Sequence, residues 1–166
     1  VGTGFACSGP ELRCWGWAGQ SRLAPFGLTT GSSPTPLPPT DPTFANVNAL
    51  ALGRAHACAA YGAAPAHVVC WGDNAKGQVG VDPASQTEVQ VPVEVGPDAQ
   101  LLAAGDSHTC AAAGTGGRDI YCWGDDARGQ VRGVAGGTPT ATPFLVRSMS
   151  EDVAEDRKST RLNSSH

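Results

Sequence analysis

Apolar positions along this chain come in short runs, each closed off by glycine, proline or small polar residues. His67-Val68-Val69-Cys70-Trp71 reads as a strand, and the small-residue run 56–61 ahead of it reads as its partner. Gly62-Ala63-Ala64-Pro65-Ala66 between them is a turn-forming cluster, so the pair forms a β-hairpin. The same succession returns as a strand at 109–112, a Gly-Thr-Gly-Gly turn at 114–117 and a strand at 119–123. Residues 89–95 and 144–147 read as further strands, and Ala49-Leu50-Ala51-Leu52 before one hairpin corresponds to Leu101-Leu102-Ala103-Ala104 before the next. No run of 18 apolar residues occurs, so no membrane span is expected.

The hairpins belong to a repeat. Gly53, His56, Cys58, Cys70, Trp71, Gly72, Asp73, Gly77, Gln78 and Val79 recur 52 residues later as Gly105, His108, Cys110, Cys122, Trp123, Gly124, Asp125, Gly129, Gln130 and Val131. Agreement on this scale at one fixed period marks tandem supersecondary units. A degenerate copy opens the chain. Gly2, Phe5 and Cys7 match its front half, with Phe5 in the histidine position, and Cys14, Trp15, Gly16, Gly19 and Gln20 are matched to its back half. Carried forward, the period expects a further glycine near 157 and a cysteine near 162, where Arg157 and Leu162 stand.

The six cysteines flank the hairpin tips, 7 residues apart in the first copy and 12 apart in the other two. Directly opposed residues of an antiparallel pair have Cα atoms about 4.5–5.5 Å apart, within reach of a disulfide. The expected bonds are Cys7–Cys14, Cys58–Cys70 and Cys110–Cys122, which implies an extracellular, periplasmic or cell-surface location. Two readings compete: reduced thiols in a cytosolic protein, and zinc held by His56, Cys58 and Cys70. Zinc is disfavoured because its ligands usually come as closely spaced pairs and the first copy lacks the histidine. No metal and no cofactor is expected. Trp15, Trp71 and Trp123 read as core anchors, and Gly-x-x-His as a turn whose imidazole bonds neighbouring backbone. Gly77-Gln78 reads as a tight turn into the next strand, and the Asp73-Asn74 and Asp125-Asp126 pairs as Asx-type turns.

Composition changes the picture at the C-terminus. Residues 156–166, DRKSTRLNSSH, resemble the translation of a common short-read sequencing adapter; a natural basic tail is the alternative. Setting aside Asp156, Arg157, Lys158 and Arg161, the 11 basic and 15 acidic residues fall to 8 and 14. An acidic body without a basic patch is a poor nucleic-acid ligand. With 22 glycines and 13 prolines, the remainder is the composition of short strands and many turns.

A-A-G-x-x-H-x-C followed by C-W-G-D-N-x-x-G-Q-x-G resembles the repeat of the regulator of chromosome condensation family, in a cysteine-bearing version found in bacterial extracellular proteins. The resemblance covers about residues 1–155. It implies an all-β fold: a fragment of a seven-bladed β-propeller, with about three four-stranded blades. Units fall at about 1–48, 49–100 and 101–149, a fourth begins at 150–155, and 156–166 is non-native. The proline-rich stretch 29–42 would be an inter-repeat loop, equivalent to 82–87 and 136–143.

Function is less constrained, because a fold hosts many functions. No Gly-x-Ser-x-Gly, Walker loop or HExxH motif occurs, and no catalytic residue is assigned. The expectation is a non-enzymatic scaffold, secreted or surface-associated, that binds another protein through propeller loops, with tips 63–67 and 115–118 as the best candidates. The alternatives are a guanine-nucleotide exchange factor-like regulator and a lyase or hydrolase built on a propeller platform.

Overall fold

The computed structural model describes residues 4–63, 66–96, 98–114 and 118–148, without the side chains of Thr43, Ala45 and Ser148. The expected fourth unit and the adapter-like tail lie outside these residues, as does most of the 115–118 tip. Three antiparallel sheets follow one another along the chain. The first comprises β1 (Phe5–Ser8), β2 (Arg13–Trp17) and β3 (Ser32–Leu37). The second comprises β4 (Val47–Leu52), β5 (His56–Tyr61), β6 (His67–Asp73) and β7 (Glu88–Glu94). The third comprises β8 (Ala99–Ala104), β9 (His108–Ala113), β10 (Asp119–Gly124) and β11 (Thr140–Ser148). Strands within each sheet pair in chain order, and the leading strands β4 and β8 lie against each other. This is a β-propeller fragment, all-β apart from 3-10 turns at Ala24–Phe26 and Pro42–Ala45.

The expectation of four strands per blade needs one correction. Among the described residues the first sheet has three strands, with no counterpart of β4 or β8 ahead of β1. A second correction concerns the proline-rich stretch: it is not all loop, because β3 lies within it and pairs with β2. Pro34 and Pro36 are tolerated because β3 is the outermost strand, bonded on one side only. The outermost strands β7 and β11 likewise carry Pro92 and Pro143, and proline on an exposed edge discourages pairing with another chain.

Side chains alternate across the pleat, so the central sheet presents two different faces. Ala57, Ala59, Val69 and Trp71 pack toward the first sheet with Phe5, Leu12, Leu23, Phe26 and Phe44. Cys58, Ala60, Val68 and Cys70 pack toward the third with Val79, Ala111 and Trp123. Every residue of β5 except Tyr61 is buried, and after His56 the buried positions are alanine and cysteine, small side chains that fit between two closely packed sheets. Trp71 and Trp123 are fully enclosed, one per seam, whereas Trp15 is only half-buried. Truncating such an indole to alanine costs about 3–5 kcal/mol.

The Cys-Trp-Gly signature has a backbone cause. The outer strand's register slips opposite the tryptophan in all three sheets, between Cys14 and Gly16, Cys70 and Gly72, and Cys122 and Gly124. The glycine that follows has φ of 106°, 105° and 108° respectively. A Cβ there would also stand 2.5 Å from the carbonyl oxygen of Gly4, Ala55 or Ser107. Those carbonyls accept hydrogen bonds from the next backbone N–H, of Trp17, Asp73 and Asp125.

Candidate functional site

The hairpin registers place Cys7 opposite Cys14, Cys58 opposite Cys70 and Cys110 opposite Cys122. Each pair is joined as a disulfide with Cα atoms 4.1 Å apart, and no free cysteine is present among the described residues. Cys14, Cys58 and Cys70 face the next repeat inside the seams, so these bonds staple the core of the fold rather than its rim.

Within the seam between the second and third sheets, the repeated polar residues form one connected network. The Trp123 indole N–H donates to the Gln78 carbonyl at 3.0 Å, and the Thr109 hydroxyl donates to the same oxygen at 3.0 Å. Thr109 Oγ1 also lies 2.9 Å from His56 Nε2. Since the hydroxyl's one proton is directed at Gln78, His56 must donate from Nε2, which leaves Nδ1 unprotonated. Nδ1 is buried without a hydrogen-bond partner among the described residues. Burial, with His108 alongside, holds the His56 imidazole down at about 4.

The Nε2 bond of the imidazole is therefore not made to the backbone of its own turn, as the sequence context suggested. It reaches across to a side chain 53 residues away, in the next repeat. The turn of Gly-x-x-His is nonetheless real: Gly53 N donates to His56 O at 2.9 Å and Gly105 N to His108 O at 3.0 Å. His56 is wholly enclosed and cannot serve a substrate as acid or base.

The loop after each tryptophan holds itself together in the same way twice. Gln78 donates to Asp73 at 2.8 Å and accepts from Lys76 N; Gln130 donates to Asp125 at 3.1 Å and accepts from Arg128 N. Asp73 and Asp125 also accept from the backbone two residues on, the Asx geometry. Buried Asn74 bridges the loop, accepting from Val79 N and donating to the carbonyls of Val81 and Gln86. Gly77-Gln78 does turn, but irregular backbone continues to β7 rather than passing straight into a strand. At the Asn74 position the next repeat has Asp126. Burial opposes its charge, but N–H donors from Arg132 and Val131 and the Arg132 guanidinium prevail and keep its carboxyl below the usual range.

The first repeat is matched differently from the sequence expectation. Gln20 does not occupy the Gln78 position; Arg22 does. The Trp71 indole donates to Arg22 O at 2.9 Å, as Trp123 does to Gln78 O, and Leu23 is buried where Val79 is. Counting without a gap from the tryptophan puts Trp17 at Asp73 and Ser21 at Gly77. Ser21 keeps the left-handed backbone of that glycine, with φ of 58° against 74°.

Open hollows among the described residues include two. At the strand ends near His56 and His108, a cleft of about 490 Å³ is lined by Arg54, Asp106, His108, Asp125, Arg128 and Gln130. At the hairpin-tip end of the first sheet, a second hollow of about 410 Å³ lies among Glu11, Arg13, Pro38, Pro39, Pro42 and Phe44. Of the candidate tips, Ala63, Ala66, His67 and Arg118 are described; 64–65 and 115–117 lie outside the described residues. The seam residue Thr109 and the stacked Arg22 were missed in the sequence. A gap-free count from the tryptophan would have found Arg22.

Two family models, both described as regulator of chromosome condensation (RCC1) repeat, match residues 67–112 and 100–130. Curated protein sequences return no match. Among solved structures, human WBSCR16 is 22% identical with a TM-score of 0.72, covering 87% of this chain and 39% of its own. Prp20p from Saccharomyces cerevisiae is 17% identical with a TM-score of 0.74, covering 90% and 38%. The same yeast protein in its complex with Kap60 gives 16%, 0.74, 90% and 36%. At these identities the likeness concerns the fold. This chain spans less than two-fifths of the length of each.

Proposed function

The chain carries regulator of chromosome condensation repeats on a β-propeller fold, and we propose that it is a segment of a secreted or surface-associated propeller that binds another protein as a non-enzymatic scaffold. The observation that carries this reading is the division of labour within each repeat. The recurring polar groups are consumed inside the seams and loops, while the repeats diverge at the hairpin tips, whose cysteines stand 7 apart in one copy and 12 in the others. Variable loops on a rigid frame are where recognition surfaces arise. On the same reading the units run about 1–48, 49–100 and 101–149, with a fourth entered at 150–155 and a non-native tail at 156–166.

The test is capture of a discrete protein from the extracellular fraction, repeated with tips 63–67 and 115–118 replaced by Gly-Ser of equal length. Loss of capture in the tip variant supports the reading. Undiminished capture by that variant, or no saturable capture at all, overturns it.

The exchange-factor reading is the second one, favoured by the likeness to Prp20p, whose structure was reported with its binding to Gsp1p and histones. It requires a reducing compartment. Six titratable thiols in the denatured, unreduced protein would support it and sink the extracellular reading; none would do the reverse.

A further inference from the structure

We propose that His67, Glu94 and Asp98 form a Zn²⁺ site at the hairpin-tip face, clasping the second sheet to the third. His67 opens β6, and the residues on either side of it, Ala66 and Val68, are bonded to neighbouring backbone. Val95 N donates to Val68 O at 2.8 Å, which sets Glu94 at one flank. Ala66 and Ala99 exchange both backbone hydrogen bonds, at 3.3 and 2.9 Å, which sets Asp98 at the other. His67 from β6 thus meets Glu94 and Asp98, which stand at the two ends of the β7–β8 connection, and residues 27 positions apart in the chain come together.

The geometry suits a small tetrahedral ion. His67 Nδ1 lies 2.9 Å from Glu94 Oε1 and 3.4 Å from Asp98 Oδ1, and the three atoms all lie within 4.8 Å of one another. With metal–ligand bonds near 2.0–2.1 Å, the edges of a tetrahedral site come to about 3.4 Å. Small side-chain rotations reach that arrangement. All three groups are exposed, and the imidazole is braced by the Tyr61 ring, whose centre is 5.9 Å away.

Charge points the same way. Two carboxylates converge on one ring nitrogen, which carries a single N–H at most and cannot satisfy both. Among the described residues, no lysine or arginine forms an ion pair with either carboxylate. A divalent cation balances both. One imidazole nitrogen and two carboxylate oxygens, with water in the fourth place, make a donor set for zinc; calcium needs six to eight oxygens. One repeat later the same positions hold Asp119, Val146 and Ser150, so the site belongs to this junction and not to the repeat.

The experiment is calorimetric titration of Zn²⁺ into the chelator-washed, oxidised full chain, without reductant, so that paired cysteines do not compete. His67→Ala, Glu94→Gln and Asp98→Asn are compared with His166→Ala, which removes the histidine of the tail. Circular dichroism checks that each variant keeps its strands. Expected are one Zn²⁺ per chain and at least about a tenfold loss of affinity in each of the three variants, with His166→Ala unchanged. Zn²⁺ affinity that survives His67→Ala, or the absence of saturable binding, overturns the proposal.

Discussion

The guanidinium of Arg22 stands 4.4 Å from the centre of the Trp17 ring, at the positions where later repeats set Gln78 against Asp73 and Gln130 against Asp125. One chain thus solves the same loop in two ways. In two repeats an amide donates to a carboxylate; in the first a cation lies on an indole. The Arg22 fork also donates to Gly19 O and Gln20 Oε1, each at 2.9 Å, closing the loop that glutamine closes elsewhere.

The pair is expected to act as a unit. Arg22→Gln and Trp17→Asp should each lower the unfolding free energy measured in urea, by about 1 kcal/mol for the lost cation–π contact. The double variant rebuilds the later repeats' pairing and should recover part of that loss. A double-mutant cycle measures the coupling. Strictly additive losses would mean that the two side chains do not support each other.

His56 makes stability depend on pH in a defined direction. Its imidazole titrates near 4 in the folded chain and near 6.5 when unfolded. Between those values the unfolded state binds the extra proton, so stability is complete above the window and falls as pH drops through it. The loss amounts to about 3 kcal/mol at most. His56→Gln should flatten this part of the profile. Thr109→Val, which strands the His56 Nε2–H, should cost about 1–3 kcal/mol at neutral pH. Denaturation midpoints at about pH 7 and 4.5 decide both points.

Gly53 is held to glycine by a ring, not by its backbone angle. A Cβ would stand 2.1 Å from Cε1 of His56, with the Gly105 carbonyl oxygen next at 2.7 Å, and Gly105 is placed against the His108 ring at the same 2.1 Å. Gly53→Ala should therefore cost about 1–3 kcal/mol through overpacking. The penalty should shrink when His56 is also replaced by alanine. An unrelieved penalty in the double variant would assign the cost to the backbone instead.

The disulfides offer a comparison at constant loop length. Cys58–Cys70 and Cys110–Cys122 both span 12 residues, so chain entropy alone assigns each about 3 kcal/mol. Cys58 and Cys70 are fully buried in a seam, whereas Cys110 is partly exposed. Replacing the first pair by alanines should destabilise more than replacing the second. Equal losses would show that the constraint on the unfolded chain is the whole effect.

What the sequence by itself determined lies between near neighbours and in the repeat: the hairpins, the tandem units and the families of recurring positions, with the propeller class implied by the family resemblance that those positions carry. Strand–turn–strand patterns and a fixed period survive in one dimension because the interactions behind them are short in sequence. Tertiary structure decided everything that joins one repeat to the next. His56 meets Thr109 across a seam, and His67 collects Glu94 and Asp98 from two directions. It also turned part of a proline-rich stretch into strand, because an outermost strand needs hydrogen bonds on one side only. Contacts of that kind depend on which faces pack together, and spacing along the chain does not encode that.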